Sequence, residues 1–140
     1  MKSIKDLILY KEVIKELNYP FGNVYIFEKF VVSEIDEGIS FNWENHGKLI
    51  VEDVTYYLGN NGDDIIYISN RIHSYSVVAS DWLKFFKHSY SLKSYLIVSD
   101  DKVGLLNSMI ENLFFSNKIK RFKTLEAAVN WIKNDMVDIA

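Results

Sequence analysis

The hydrophobic pattern at the start of the chain is typical of short β-strands. Two runs rich in β-branched and aromatic residues, Val24 to Phe27 and Phe30 to Ile35, are separated by the polar pair Glu28-Lys29. They predict two strands of an antiparallel meander. Residues 3 to 18 have a pattern that fits both a helix and a strand, and we favour extended structure over residues 11 to 17.

From residue 42 onward the pattern alternates between helical and extended segments. Asn42 is a candidate N-cap for a helix that runs through Leu58 and ends at the Gly-Asn-Asn-Gly segment that follows it. The predicted buried stripe of this helix consists of Trp43, Ile50, Val54 and Tyr57.

The unbroken apolar run from Ile65 to Ile68 predicts a central strand, because a strand that is buried on both faces shows no alternation. Ser80 is then a candidate N-cap, with Asp81 in the first turn of the next helix. We expect that helix to pack on the central strand and to bury at least two of its three aromatic rings. These rings belong to Trp82, Phe85 and Phe86.

The last third of the chain continues the alternation with strands at Leu92 to Val98 and at Ile119 to Phe122. Thr124 is a candidate N-cap for the last helix. The predicted buried positions are Val103, Leu106, Ile110 and Leu113 in the helix between these strands, and Leu125, Ala128, Val129 and Ile132 in the last one. The whole pattern predicts a single α/β domain over residues 1–140, with a mixed sheet in which antiparallel strands are followed by the order αβαβαβα.

A polar segment follows the predicted central strand, where open α/β sheets usually bind their ligands. Arg71 and His73 are candidates for an anion site, although an ion pair for Arg71 and solvation for His73 are the simpler alternatives. Ser74 and Ser76 are candidate phosphate acceptors, and their alternative is that of plain loop hydroxyls. The full candidate site for a ligand or partner is Asn70, Arg71, His73, Ser74, Tyr75 and Ser76.

Composition narrows the classes of function. A net charge of −3 argues against a nucleic-acid-binding surface over the whole domain. The chain has no cysteine and no apolar run of about 18 residues, so we expect neither thiol chemistry nor a membrane span, and a cytoplasmic location is the default. An aromatic content of 15% leaves room for an apolar pocket or a contact face.

Motifs for catalysis and for metal binding are missing from the sequence. The three histidines lack the spacing of a metal site, and the chain has no nucleophile elbow, phosphate-binding loop or dinucleotide fingerprint. We therefore expect no enzymatic activity, no cofactor and no metal.

Three stretches, Val24 to Glu44, Asp64 to Phe86 and Lys102 to Phe115, together resemble the STAS fold of anti-sigma-factor antagonists. More closely, the chain resembles the SpoIIAA-like group, whose architecture is shared with the CRAL-TRIO lipid-transfer fold, and in particular small uncharacterised bacterial members of that group. The resemblance implies a serine phosphorylated near the start of the helix after the central strand, here between Ser74 and Ser80. This sequence has no glycine there, and so departs from the Asp-Ser-Ser/Thr-Gly motif of that family.

The sequence thus leads to two hypotheses about function. The first is a non-enzymatic regulatory or protein-interaction module of STAS-like fold, which binds a protein partner or associates with itself. The alternative is a small protein of CRAL-TRIO-like type that binds a lipid or another small apolar ligand, as the aromatic content also suggests.

Overall fold

The computed structural model describes residues 1–115 and 119–134, with the backbone alone for residues 102–105. Strands are β1 (Lys15–Tyr19), β2 (Gly22–Ile26), β3 (Phe30–Ile35), β4 (Ser40–Phe41), β5 (Ile66–Asn70), β6 (Ser76–Val77), β7 (Ser94–Val98) and β8 (Ile119–Phe122). Helices are α1 (Lys48–Leu58), α2 (Trp82–Lys87), α3 (Lys102–Glu111) and α4 (Leu125–Lys133). The order of these elements confirms the predicted mixed α/β class.

Six of the described strands form one mixed sheet in the order β1-β2-β3-β5-β7-β8. The pairs β1–β2 and β2–β3 are antiparallel, whereas β3, β5, β7 and β8 run parallel to one another. Strand β5 lies between two parallel neighbours, which confirms that the apolar run before the polar segment forms a central strand. Strands β4 and β6 pair separately as a short parallel ribbon.

The two faces of the large sheet are covered by different elements. Alternate residues of the strands, such as Ile68 and Leu96, pack with the N-terminal segment and α4 on one face. The opposite residues, such as Val31 and Tyr95, pack with α1 or with the aromatic residues of α2 on the other face. Because side chains alternate along a strand, each strand supplies both layers of the core.

The N-terminal segment forms two 3-10 turns, Ile4–Asp6 and Ile8–Glu12, before β1 begins. The expected extended structure is therefore right from Lys15 onward and wrong for residues 11 and 12. Ile4 is fully buried, and its backbone N–H donates to the carboxylate of buried Glu34 at 2.8 Å. This contact holds the segment on the face of the sheet that α4 also covers.

The predicted caps of α1 and α4 are largely confirmed. The side chain of Asn42 accepts a hydrogen bond from the Asn45 N–H at 2.9 Å, at the start of a single π-helical turn that continues into α1. Gly59 ends α1 with φ 71°, a conformation that suits glycine. Tyr57 does not belong to the buried stripe, since it is 47% exposed. Thr124 caps α4, accepting from the Ala127 N–H at 3.1 Å.

The helix α2 is only six residues long, and Ser80 does not cap it. A 3-10 turn, Ala79–Asp81, precedes the helix, which has no side-chain cap at its start. The carboxylate of Asp81 instead accepts from the backbone N–H of Trp43 at 2.7 Å, which ties the start of α2 to the turn before α1.

The orientation predicted for α3 and the turn after it is wrong at every described position of the stripe, and the side chain of Val103 lies outside the described part of the structure. Leu106, Ile110 and Leu113 are more than half exposed, whereas Ser108 and Glu111 are buried. Helical periodicity places the aliphatic side inward. Here the helix turns its polar side inward because Glu111 pairs with a buried arginine.

No described helix is long and apolar enough to cross a membrane.

Candidate functional site

A cavity of about 120 Å³ lies between α1, α2 and the sheet. Its walls are almost entirely apolar. Residues that line it include Ile50, Val54 and Thr55 of α1, Trp82 and Phe85 of α2, Val31, Tyr67 and Tyr95 of the sheet, Trp43 of the turn before α1, and Glu111 of α3. The exposed residues Asn60, Asn61 and Val78 also line it and mark its opening to solvent. We call this space the aromatic cavity.

Aromatic rings in mutual contact build one side of the aromatic cavity. Tyr67 and Tyr95, on neighbouring strands, stack with their centroids 5.2 Å apart. The Trp82 ring lies 4.8 Å from Tyr95 and meets Phe85 edge-on at 5.3 Å. Phe85 is buried, Trp82 and Phe86 are mostly buried, and the Trp82 ring contacts Tyr67 of β5, so the prediction that at least two of these rings pack inward is confirmed. Such contacts hold the rings in fixed positions around the cavity.

A buried ion pair lies beside these rings. Arg71, immediately after β5, contacts the Glu111 carboxylate through Nη2 at 2.5 Å. Tyr95 donates its hydroxyl hydrogen to Glu111 Oε1 at 2.7 Å, and Trp82 Nε1–H donates to the same oxygen at 3.1 Å. Arg71 Nε donates to the Ser69 hydroxyl at 3.0 Å. Three elements, the end of β5, β7 and the end of α3, are therefore joined by one polar cluster.

The protonation states in this cluster follow from its burial and charges. Burial raises the pKa of Tyr95 well above its usual value, and the negative charge of Glu111 acts in the same direction. Burial alone would lower the pKa of Arg71, but its interactions with Tyr75, Tyr95 and Glu111 outweigh burial and raise the pKa well above its usual value. The phenol thus remains a donor and the guanidinium remains charged.

The structure separates the residues of the predicted polar site. Asn70 is buried on the opposite face of the sheet, where its Nδ2 donates to Glu34 at 2.9 Å and to the Lys2 carbonyl at 3.1 Å. It therefore does not join Arg71, since adjacent residues of a strand point to opposite faces. Tyr75 is buried and packs under the guanidinium of Arg71, with its ring centroid 5.4 Å from Cζ.

A small polar hollow of about 20 Å³ brings some of the predicted residues together. It is lined by Arg71, His73, Ser74, Tyr75, Ser99, Asp101 and Asn107. Arg71 Nη1 is buried and makes no hydrogen bond to any described residue. The hollow has room for about one water molecule. The pair Arg71 and His73 thus shares one hollow, but the guanidinium charge is already paired with Glu111.

The two candidate phosphate acceptors are exposed. Ser74 lies in the segment before β6, and its carbonyl accepts from the Gly38 N–H at 2.9 Å. Ser76 begins β6, so it belongs to the β4–β6 ribbon and not to a free loop. Their phosphorylation stays a prediction.

Sequence reasoning missed Glu111 and the place of α1 in the site. Glu111 was overlooked because the aliphatic residues around it predict the opposite orientation of α3. The high aromatic content left room for an apolar pocket or a contact face, but it located neither the rings of α2 around the cavity nor the wall that α1 forms.

Comparisons with models of known protein families, with curated proteins and with solved structures found no match for this chain.

Proposed function

We propose that the protein is a non-enzymatic module that binds a small apolar molecule in the aromatic cavity and works in the bacterial cytoplasm. The observation that carries this proposal is the cavity itself, about 120 Å³ in volume and walled by aromatic and aliphatic side chains. An engineered apolar cavity of about 150 Å³ in an unrelated protein stays dry and binds benzene. The volume therefore favours a ligand the size of one ring over a long acyl chain.

The architecture supports a place for this module among STAS-like proteins of the SpoIIAA-like group. An antiparallel start followed by αβαβαβα, with parallel strands β3, β5, β7 and β8, is the order that the resemblance implies. A pocket between helices and the sheet also fits the alternative that relates this architecture to lipid-transfer proteins. Fold alone does not assign function, so the cavity and not the architecture carries the proposal.

Benzene binding tests this function directly. We expect benzene to raise the thermal midpoint of the wild-type protein in proportion to the logarithm of its concentration, because a ligand that binds only the folded state stabilises it. Val54→Phe should abolish this shift, since Val54 lines the cavity and a larger side chain would occupy it. Differential scanning fluorimetry measures the shift, and native mass spectrometry of the purified protein shows any ligand that is already bound.

Leu49→Phe is the matched control for this experiment. Leu49 belongs to the same helix but is 45% exposed and does not line the cavity, so the same enlargement should leave benzene binding intact. Near-ultraviolet circular dichroism confirms that both variants are folded. Equal stabilisation of all three proteins by benzene, or stabilisation of none, would overturn the proposal.

Self-association is a second candidate function, favoured by the outward face of α3 and the turn after it. Four aliphatic side chains there are more than half exposed, namely Leu106, Met109, Ile110 and Leu113. We take a second copy of this chain as the occupant. A two-fold axis would place this patch on itself, and none of its four described side chains is charged, although the whole chain carries −3. These four side chains of two copies can therefore meet without bringing like charges together.

Light scattering coupled to size-exclusion chromatography tests the second candidate. We expect the wild-type protein to be a dimer, and Leu106→Glu to be a monomer because each copy would bring a charge to the interface. Leu49→Glu, an equally polar change at an exposed leucine of α1, should leave the dimer intact. A wild-type protein that stays monomeric over a concentration series would rule this function out.

A further inference from the structure

The charges, the aromatic rings and the hydrogen bonds at Glu111 in the aromatic cavity indicate the chemical class of the ligand that it binds. The inference rests on the proposed ligand-binding function.

The charges that line the cavity are already paired. Glu111 is 1% exposed and forms the ion pair with Arg71. Asp81, near the start of α2, lies 3.4 Å from the ammonium of Lys84 and also accepts from the Trp43 backbone. A charged ligand would lose its hydration without finding an unpaired opposite charge. The cavity therefore favours a neutral molecule.

The rings favour a flat ligand. Tyr67 and Tyr95 stack in nearly parallel planes, 9° apart, while Trp82 meets Phe85 edge-on. Aromatic rings gain most from stacked or edge-to-face contact with another ring. A planar aromatic molecule can make both kinds of contact here, whereas a flexible aliphatic chain can make neither.

The hydrogen bonds at Glu111 favour a ligand that donates. Its Oε1 accepts from Tyr95 and from Trp82, and its Oε2 accepts from Arg71. A carboxylate has about four acceptor positions, so about one remains on Glu111, at the Oε2 atom that pairs with Arg71. The Tyr95 hydroxyl hydrogen and the Trp82 N–H are already used. Among the groups that line the cavity, Glu111 can therefore accept a further hydrogen bond, whereas Tyr95 and Trp82 have no donor left to give.

We propose that the cavity takes a neutral aromatic molecule of one ring, or of the size of indole, that donates one O–H or N–H hydrogen bond to Glu111. Neutrality, planarity and a single donor each match one observed property of the site. Phenol is the simplest probe with all three properties, and toluene has the same shape without the donor.

Isothermal titration calorimetry of the wild-type protein with four probes tests this inference. We expect phenol to bind at least about tenfold more tightly than toluene, since a hydrogen bond to a charged acceptor contributes that much or more. Benzoate and benzylammonium should bind at least about tenfold more weakly than phenol, because each would bury a net charge.

The outcomes separate this inference from the proposed function. Toluene binding as tightly as phenol, or tighter binding of either ion, overturns the inference and leaves a ligand-binding cavity. Failure of all four probes overturns the proposed function and the inference together.

A double variant identifies the acceptor. Arg71→Met combined with Glu111→Leu removes both charges at nearly constant volume, a kind of replacement that buried ion pairs often tolerate. In this variant toluene should still bind, and the preference for phenol should fall, because the Tyr95 hydroxyl that loses its partner is a weaker acceptor than the carboxylate. A preference for phenol as large as in the wild-type protein would show that Glu111 is not the acceptor. If the double variant does not fold, the comparison of phenol with toluene in the wild-type protein still decides the inference.

Discussion

Replacing Glu111 by leucine should lower the free energy of unfolding by about 3–5 kcal/mol, because it leaves the Arg71 guanidinium buried without its partner. Glu111 is 1% exposed, and the Arg71 side chain is 5% exposed. A domain of this size has only about 5–15 kcal/mol in total, so the loss would remove a large part of its stability. We expect the thermal midpoint to fall by roughly 10–15 °C.

A double-mutant cycle with Arg71→Met checks the cause of this loss. Each single variant should be strongly destabilised, whereas the variant Arg71→Met, Glu111→Leu should recover part of the stability, because no unpaired charge remains although the Tyr95 hydroxyl and the Trp82 N–H lose their acceptor. Glu126→Leu, at an exposed position of α4, is the matched control and should change the midpoint little. If Glu111→Leu melts like this control, the ion pair does not stabilise α3 as described.

Replacing Phe85 by alanine should cost about 3–5 kcal/mol, the usual range for removing a buried phenyl ring. The ring is 5% exposed and makes edge-on contacts with Trp82 at 5.3 Å and with Trp43 at 6.2 Å. It thereby joins α2 to the turn before α1. Urea unfolding monitored by circular dichroism measures the loss.

Ser76→Ala is the companion variant for that experiment. Ser76 is exposed. Its backbone N–H donates a hydrogen bond to the carbonyl of Ile39, in the segment before β4, and alanine keeps this hydrogen bond. We expect a change within about 0.5 kcal/mol. Comparable small losses from both variants would mean that α2 does not pack as the structure shows.

Both predictions concern contacts that the sequence did not reveal in full. The pattern around the aromatic run of α2 indicated inward packing, but it did not predict that Phe85 is more buried than Trp82 and Phe86. The reason is that α2 is only six residues long and its burial depends on Trp43, which lies far away in the chain.

The sequence by itself determined the order of the main elements, but not the short strands β4 and β6, because that order depends on local signals. β-branched and aromatic runs form β2 and β3, an uninterrupted apolar run forms β5, and Asn42 and Thr124 supply side-chain caps where they were expected. These signals act over a few residues, so they can be read from a single chain.

Only the tertiary structure decided which side of α3 faces inward and which residues of the predicted polar segment lie on each face of the sheet. The aliphatic residues of α3 predict one orientation, but the pairing of Glu111 with Arg71 across 40 positions of the chain imposes the other. Asn70 and Arg71 are neighbours in sequence, yet they take part in hydrogen bonds on opposite faces of the sheet. A long-range ion pair and the alternation of side chains along a strand thus determine where the residues of the site lie. Local periodicity predicts neither the partner of such an ion pair nor the register of such contacts.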